Sequence, residues 1–344
     1  MAFRINNRRY TGSKYKILEW INEIIDRECP NCDSFCDLFA GTGVVTDSVF
    51  SKYKEFYIND FLYSNQIIYK AFYKKENYDF HKIMNFYKKY KNLDANSIDD
   101  NYVSINYGGK FFEYNDAKKI GFIREDIENN KANLNEREYA IIITSLLYSL
   151  DRCANTVGHY DAYFKKSNLR SNFEFELISP VVKDEDDERT IHITREDSNE
   201  LAKKIDVDIV YIDPPYSSRQ YSRFYHVLEN IVKWEKPKLY GVALKPEPEN
   251  MSSYCSSKAI DSFNELIMDL NCKYIVVSYN NTYNSKSKSS KNKMELEDIL
   301  GVLKQKGETK QFSIKHQAFN AGKTELNNHQ EFLFVTKVEV HAND

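Results

Sequence analysis

The chain has 344 residues, 42% of them hydrophobic and 29% charged, the balance of a globular protein with room for one large α/β domain and a further lobe. A net charge of −3 excludes a protein that holds nucleic acid by bulk charge, so such a partner needs local basic patches. No apolar run reaches the length of a membrane span and no signal peptide is read at the start, so a cytoplasmic protein is expected.

The first element is a basic-aromatic turn, Arg8-Arg9-Tyr10-Thr11-Gly12-Ser13-Lys14, followed by Ile17, Leu18, Ile21, Ile24 and Ile25 at helical spacing. A lysine at a helix start opposes the helix dipole, so Lys14 is either a solvated side chain or the partner of an anion such as a ligand carboxylate. The six cysteines form no disulfide framework. Cys29, Cys32 and Cys36 begin like a zinc cluster, but with no fourth ligand in view they read as reduced packing thiols, and no metal is expected.

Phe35 to Val45 reads as a strand, a glycine turn and a helix start. Gly41 and Gly43 permit positive φ and close backbone approach to a ligand, and amides at the helix start face it. Thr46 stands where the dinucleotide fingerprint has its third glycine, which argues against a nicotinamide oxidoreductase. Asp37 ends the strand as a carboxylate able to meet an ammonium group. A second strand, Phe56 to Asp60, ends in an acid at the distance where nucleotide-binding folds grip ribose hydroxyls.

Residues 62–185 are too long for one crossover and read as an inserted, mainly helical lobe, with helical stretches over Tyr69 to Lys91 and Glu136 to Leu150. Inside it, Thr156 to Lys166 mixes aromatics, an acid and bases. That mix suits either a surface touching bases and phosphates or a buried His159–Asp161 pair. The acidic run Lys183 to Glu188 reads as a solvated loop. The sheet then resumes with Thr190 to Thr194, and Arg195-Glu196-Asp197-Ser198 sets another acid at a strand end.

The central stretch is Asp208-Ile209-Val210-Tyr211-Ile212-Asp213-Pro214-Pro215-Tyr216. Its β-branched run is a buried strand, and two prolines force the chain out of the sheet at Asp213. An exocyclic amine on a base is a poor nucleophile because its lone pair is delocalised into the ring. The Asp213 carboxylate and the Pro214 carbonyl could both accept from one NH2 group and draw that lone pair out, while Tyr216 offers a face on which an extruded base stacks. A proline-rich turn behind a capping acid is the alternative.

Beyond this point Arg219 and Arg223 are placed to reach phosphates, and Tyr225 to Trp234 is a helix. Tyr274 to Asn281 is a buried strand. It leads into the loop Ser285 to Lys293, in which Lys286 and Lys288 belong to either a phosphate clamp or a solubilising linker. The chain ends in strands Gln311 to His316 and Glu331 to Val338, the latter suited to closing the sheet edge.

Together, Tyr10 to Lys14, Asp37 to Gly43, Asp60, Asp197 and Asp213-Pro214-Pro215-Tyr216 resemble the Dam-like S-adenosylmethionine-dependent DNA adenine-N6 methyltransferases. In that class the glycine motif precedes the recognition region and the Asp-Pro-Pro-Tyr motif follows it. His159 to Tyr163 and Ser217 to Tyr221 look similar to the FokI-type enzymes of type II restriction-modification systems. The resemblance implies a doubly wound Rossmann-like sheet built from residues 1–61 and 186–344, with 62–185 as the target-recognition lobe. It implies that Asp213, Pro214, Pro215 and Tyr216 hold a flipped adenine.

The implied S-adenosylmethionine site is Tyr10, Gly12, Lys14, Asp37, Phe39, Ala40, Gly41, Thr42, Gly43, Asp60, Phe61, Asp197, Ser198 and Asp213. Tyr10 and Lys14 would take the methionine end, Asp60 the ribose and Asp197 the adenine. Ser198 stands where the family often has phenylalanine, leaving Phe61 or Ile212 to stack on the cofactor adenine. The expected partners are double-stranded DNA and a cognate restriction endonuclease, with the enzyme acting as a monomer. DNA contacts are expected from Arg152, Asn155, Tyr160, Asn168, Arg170, Arg219, Arg223, Lys286 and Lys288. Cytosine-N4 methylation, RNA adenine methylation and a non-catalytic DNA-binding module are the alternatives.

Overall fold

The computed structural model describes residues 2–165, 169–281, 291–315 and 329–339. The chain divides into two compact units. One is Gly12–Phe61, Glu188–Tyr221 and Asn250–Asp344; the other is Met1–Thr11, Leu62–Asp187 and Ser222–Glu249. The second unit therefore takes in two stretches besides the long one between the cofactor-like motifs.

Among the described residues the first unit carries a seven-stranded sheet. Its strands are β1 (Ser34–Asp37), β2 (Glu55–Asn59), β3 (Thr190–Thr194), β4 (Asp206–Ile212), β5 (Asn271–Asn280), β6 (Gly307–Lys315) and β7 (Gln330–Val338). The order is β3-β2-β1-β4-β5-β7-β6. Strands β1 to β5 pair in parallel, whereas β7 runs antiparallel to both β5 and β6. This mixed α/β arrangement is compatible with a Rossmann-like methyltransferase. Strand order reverses between β1 and β4, and the carboxyl ends at such a switch point are where open α/β sheets bind ligands.

The final strand does not close the sheet edge, as its sequence suggested. β7 lies inside, between β5 and β6, because its Phe332-Leu333-Phe334-Val335 run is buried on both faces. The alternating, half-exposed β6 takes the edge, which is what a polar face on an outer strand permits.

In chain order the helices are α1 (Leu18–Glu28), α2 (Val44–Val49), α3 (Tyr63–Tyr73), α4 (Phe80–Lys91), α5 (Tyr102–Tyr107), α6 (Tyr114–Asn129), α7 (Glu136–Cys153), α8 (Ser198–Ala202), α9 (Tyr221–Phe224), α10 (His226–Lys233), α11 (Ala259–Asp269) and α12 (Leu296–Lys306). On one sheet face Cys36, Val210, Ile212, Ile275, Val277 and Phe334 pack with Leu201 of α8, Phe263 and Leu266 of α11, and Ile299 and Leu303 of α12. Each such fully buried aliphatic or aromatic side chain contributes about 1.5–3 kcal/mol. On β1, Phe35 makes ring contacts with Tyr53, Phe56 and Tyr211. Consecutive β1 residues point to opposite faces, so the sheet is covered on both sides.

In the second unit α7 is buried around most of its circumference, and α3 lies against it. Its start is fixed by a capping box in which Asn135 accepts from the Glu138 amide at 2.8 Å and Glu138 accepts from the Asn135 amide at 3.0 Å. The helical stretch expected from Tyr69 to Lys91 is broken between α3 and α4. Asp79 caps the new helix, accepting from the His81 and Lys82 amides at 2.8 and 3.1 Å, so a polar cap interrupts the apolar period.

Candidate active site

The glycine turn after β1 is held from two sides. The Ala40 amide donates to the Asn59 carbonyl at 2.8 Å, and the Gly43 amide closes the turn on the Ala40 carbonyl at 2.7 Å. Gly41 (φ 53°) and Gly43 (φ 75°) both adopt the left-handed region, where a Cβ is strained. Asp60 accepts from the Gly41 amide at 2.9 Å, so the acid after β2 is tied to the turn after β1.

Asp37 lies beneath this turn, only 1% exposed. Its Oδ2 accepts from the Thr46 amide at 3.3 Å and hydroxyl at 2.8 Å. Burial, aided by Asp213 and Asp60 and opposed by Thr46, pushes its carboxyl up to about 7. A carboxylate held in that way favours a cationic neighbour.

The second cluster forms where β4 ends. Lys14 is 4% exposed. Its Nζ donates to the Tyr216 hydroxyl at 2.5 Å and to Glu331 Oε2 at 3.1 Å, and lies 3.3 Å from Asp213 Oδ1. The Tyr216 hydroxyl donates to that same Asp213 oxygen. Burial pushes Asp213 up to about 6, outweighing Lys14 and Tyr216, with Glu331 adding to the rise. For Lys14, burial works against the charge, but Asp213 and Glu331 outweigh it and the ammonium is held above its ordinary value. The Tyr216 ring meets Tyr279 edge-on at 4.6 Å, which fixes the plane it presents. Its carbonyl accepts from the Lys293 amide at 2.8 Å.

Glu331 has no counterpart among the residues singled out from sequence. It sits in an apolar strand, and the only signal was a carboxylate inside a run otherwise fit for the core. Asn59 was passed over for the same reason. It is buried at the end of β2, with Nδ2 donating to the Leu38 and Glu196 carbonyls at 3.1 Å each. Its Oδ1 accepts from the Thr194 hydroxyl at 2.8 Å and the Glu196 amide at 3.0 Å.

The other expected cofactor residues fall as follows. Gly12 has φ 86°, and a Cβ there would lie 3.4 Å from the Tyr221 hydroxyl. Thr42 is buried, whereas Phe39 is partly buried with its ring edge-on to Tyr254 at 5.2 Å. Asp197 is exposed and caps α8 by accepting from the Asn199 and Glu200 amides at 2.9 and 3.4 Å; Ser198 behind it is buried. Of the two stacking candidates, Ile212 is fully buried in the core and has no free face, while Phe61 is half-buried. Tyr10 belongs to the helical unit, where it stacks on Tyr225 at 4.6 Å with the Arg8 guanidinium 5.1 Å from its ring.

The expected DNA-contacting residues are scattered. Tyr160 is fully buried and donates to Asp151 at 2.9 Å, so it presents no face to a base, a correction that follows from its packing. His159 and Asp161 are half-buried rather than buried: the Asp161 amide donates to His159 Nδ1 at 3.3 Å, the His159 ring stacks on Phe224 at 4.6 Å, and the Asp161 carboxylate pairs with Lys245. Arg152 donates to the Glu174 carbonyl at 3.1 Å, and Asn155 to the Lys110 and Phe164 carbonyls at 2.8 and 3.0 Å. Arg223 donates to the Pro246 carbonyl at 2.5 Å. Arg219 is half-buried and Arg170 exposed. Asn168, Lys286 and Lys288 lie outside the described residues.

Among the described residues no group of three or more His, Cys, Asp or Glu is arranged to hold a metal ion. Burial pushes the Cys29 and Cys32 thiols up to about 12 and about 11, and the Cys36 thiol well above its ordinary value; Cys29 and Cys36 are buried. No described helix is long and apolar enough to cross a membrane.

A parallel-centred sheet with a glycine turn and an Asp-Pro-Pro-Tyr site at its switch point is compatible with a methyltransferase of the Rossmann-like kind. More narrowly, residues 10–294 match the D12 class of N6 adenine-specific DNA methyltransferases, and the chain belongs to that family. It is 34% identical over 288 residues to the modification methylase StsI of Streptococcus sanguinis, a match covering 79% of this chain and 44% of that protein. To the type II methyltransferase M.FokI of Planomicrobium okeanokoites it is 30% identical, over 96% of this chain and 53% of that one. To M.CviAII of Paramecium bursaria Chlorella virus 1 it is 30% identical over 97% of this chain and the whole of the relative. The chain thus spans about half the length of the StsI and FokI methylases and the full length of the viral one.

Proposed function

We propose that the protein is a site-specific DNA methyltransferase that moves a methyl group from S-adenosylmethionine to N6 of an adenine turned out of the duplex. In this reading it is the modification enzyme of a type II restriction-modification system. The observation that carries it is the Asp213 carboxylate, joined by Tyr216 and Lys14 at the carboxyl end of β4, in a chain of the D12 family.

The residues fit S-adenosylmethionine: a buried carboxylate that favours a cation (Asp37), a left-handed glycine turn, and acids following three neighbouring strands (Asp37, Asp60, Asp197). Bound there, the cofactor supplies an electrophilic methyl group on a sulfonium sulfur. Asp213 and the Pro214 carbonyl accept from the two hydrogens of the adenine amine and aim its lone pair. Proline fixes these acceptors in advance, so no reorganisation is needed during the reaction. The Tyr216 ring stacks on the base, and Asp213, whose carboxyl burial pushes up to about 6, takes the proton released when the nitrogen gains its methyl group. Positioning therefore carries most of the catalysis.

The helical stretch 62–185 is the proposed target-recognition lobe. The names of the FokI and CviAII relatives as type II methyltransferases support a cognate restriction endonuclease as functional partner; the enzyme itself is read as a monomer in the cytoplasm.

The test is transfer of labelled methyl from S-adenosylmethionine to unmethylated genomic DNA and to bulk RNA, with nucleoside analysis of the product. Label in DNA N6-methyladenine is expected, with Asp213→Ala lowering the rate by about a hundredfold to a thousandfold or more while cofactor binding persists. Label on cytosine or in RNA replaces the substrate in this reading, and normal turnover in the Asp213 variant refutes the mechanism.

A further inference from the structure

The ammonium of Lys14 has two carboxylates beside it, and only one is needed for chemistry. Asp213 Oδ1 lies 3.3 Å away and Glu331 Oε2 3.1 Å away, while Lys14 and Glu331 are 4% and 8% exposed. A buried ammonium whose sole counter-ion was Asp213 would hold that carboxylate in a tight pair. The oxygen would then be turned toward Lys14, and its power to accept from a weakly polarised amine would fall.

We propose that Glu331, on β7, is a positioning residue: it carries the charge of Lys14, so that Asp213 is left to accept from the target amine. The proposal rests on the reading of Asp213 given above and adds to it a second acid that never touches the base. Glu331 is well placed for this, because β7 is an inner strand and pairs Glu331 with Asn280 of β5, which fixes its backbone. Its other carboxylate oxygen lies 3.4 Å from His329 Nε2. The directions agree: Glu331 is held below its ordinary value despite burial, chiefly by Lys14 and His329, whereas burial pushes Asp213 up. Two acids share one cation, Glu331 Oε2 at 3.1 Å and Asp213 Oδ1 at 3.3 Å.

The groups facing Asp213 are Lys14 from the N-terminal segment, Glu331 from β7, Tyr216 from the turn after β4 and Tyr211 from β4 itself; Asp37 at the end of β1 senses its charge. With Glu331→Gln, Lys14 turns its whole charge on Asp213. The acidic limb of the kcat profile should move down by about one pH unit, the plateau kcat should fall about tenfold, and KM for S-adenosylmethionine should stay within about threefold. A role confined to stability lowers the melting temperature and leaves the limb in place, and that result overturns the proposal.

A double-mutant cycle guards against misfolding of the single variant. In a Lys14→Gln background Glu331 has no ammonium left to hold, so adding Glu331→Gln should cost no further activity; additive losses overturn the proposal. Wild-type protein that methylates adenine with an unmoved limb in the variant refutes Glu331 alone. Wild-type protein that transfers no methyl group removes the reading of Asp213 as well.

Discussion

Asp37 shows how a single residue can be set against the stability of its own fold. Its carboxyl is pushed from the ordinary 3.8 up to about 7, so the native state binds a proton that the unfolded chain releases at lower pH. Between about pH 4 and pH 7 the folded form holds more protons, and stability falls as pH rises through that window. The cost of keeping Asp37 ionised above pH 7 is on the order of 2–4 kcal/mol, a large share of a typical folding free energy. Asp37→Asn should therefore raise the unfolding free energy at pH 8 by about 1–3 kcal/mol, with the gain shrinking toward pH 5. In the proposed function the same substitution weakens S-adenosylmethionine binding, since a cationic ligand is what would make the charge favourable. Urea unfolding at the two pH values reads the first effect, and calorimetric titration with cofactor the second. A gain that is independent of pH would show that Asp37 is not the group titrating there.

At the scale of elements, three strand ends are tied by one amide side chain. Asn59 bonds the end of β1 through Leu38 and the region after β3 through Thr194 and Glu196, and the acids Asp60 and Asp197 follow directly on these anchored positions. Losing these buried bonds in Asn59→Ala should cost about 2–4 kcal/mol and weaken cofactor binding, because the turn that Asp60 grips loses its frame. A variant with wild-type urea midpoint and cofactor affinity would refute this. The acids themselves were legible in the sequence, since each closely follows an expected strand. So were the glycine turn and the Asp-Pro-Pro-Tyr stretch, whose backbone demands are written in Gly and Pro. Asn59 and Glu331 were not, because their roles depend on which strands become neighbours. Pairing is non-local: β7 inserts between β5 and β6, and that insertion brings Glu331 to Lys14, 317 positions earlier in the chain. Helices α11 and α12 also escaped the sequence reading, as did the break between α3 and α4.

For the whole molecule, a net charge of −3 leaves DNA binding to a few well-placed cations rather than to an overall field. Within the helical unit several residues that looked suited to DNA are committed to the fold: Tyr160 to Asp151, Asn155 to two backbone carbonyls, Arg152 to Glu174. Arg170, like Arg152, is exposed, so replacing it disturbs little packing. If residues 62–185 read the target, Arg170→Ala should weaken binding to the cognate duplex and leave S-adenosylmethionine affinity unchanged, the cofactor motifs other than Tyr10 belonging to the sheet-bearing unit. The form of the loss identifies the contact. A phosphate contact lowers affinity for all sequences alike and reduces the salt slope by about one. A base contact costs about 1–3 kcal/mol on the cognate site alone and relaxes selectivity at one position. Fluorescence anisotropy with cognate and scrambled duplexes over a salt series distinguishes the two, and unchanged binding to both takes Arg170 off the DNA surface.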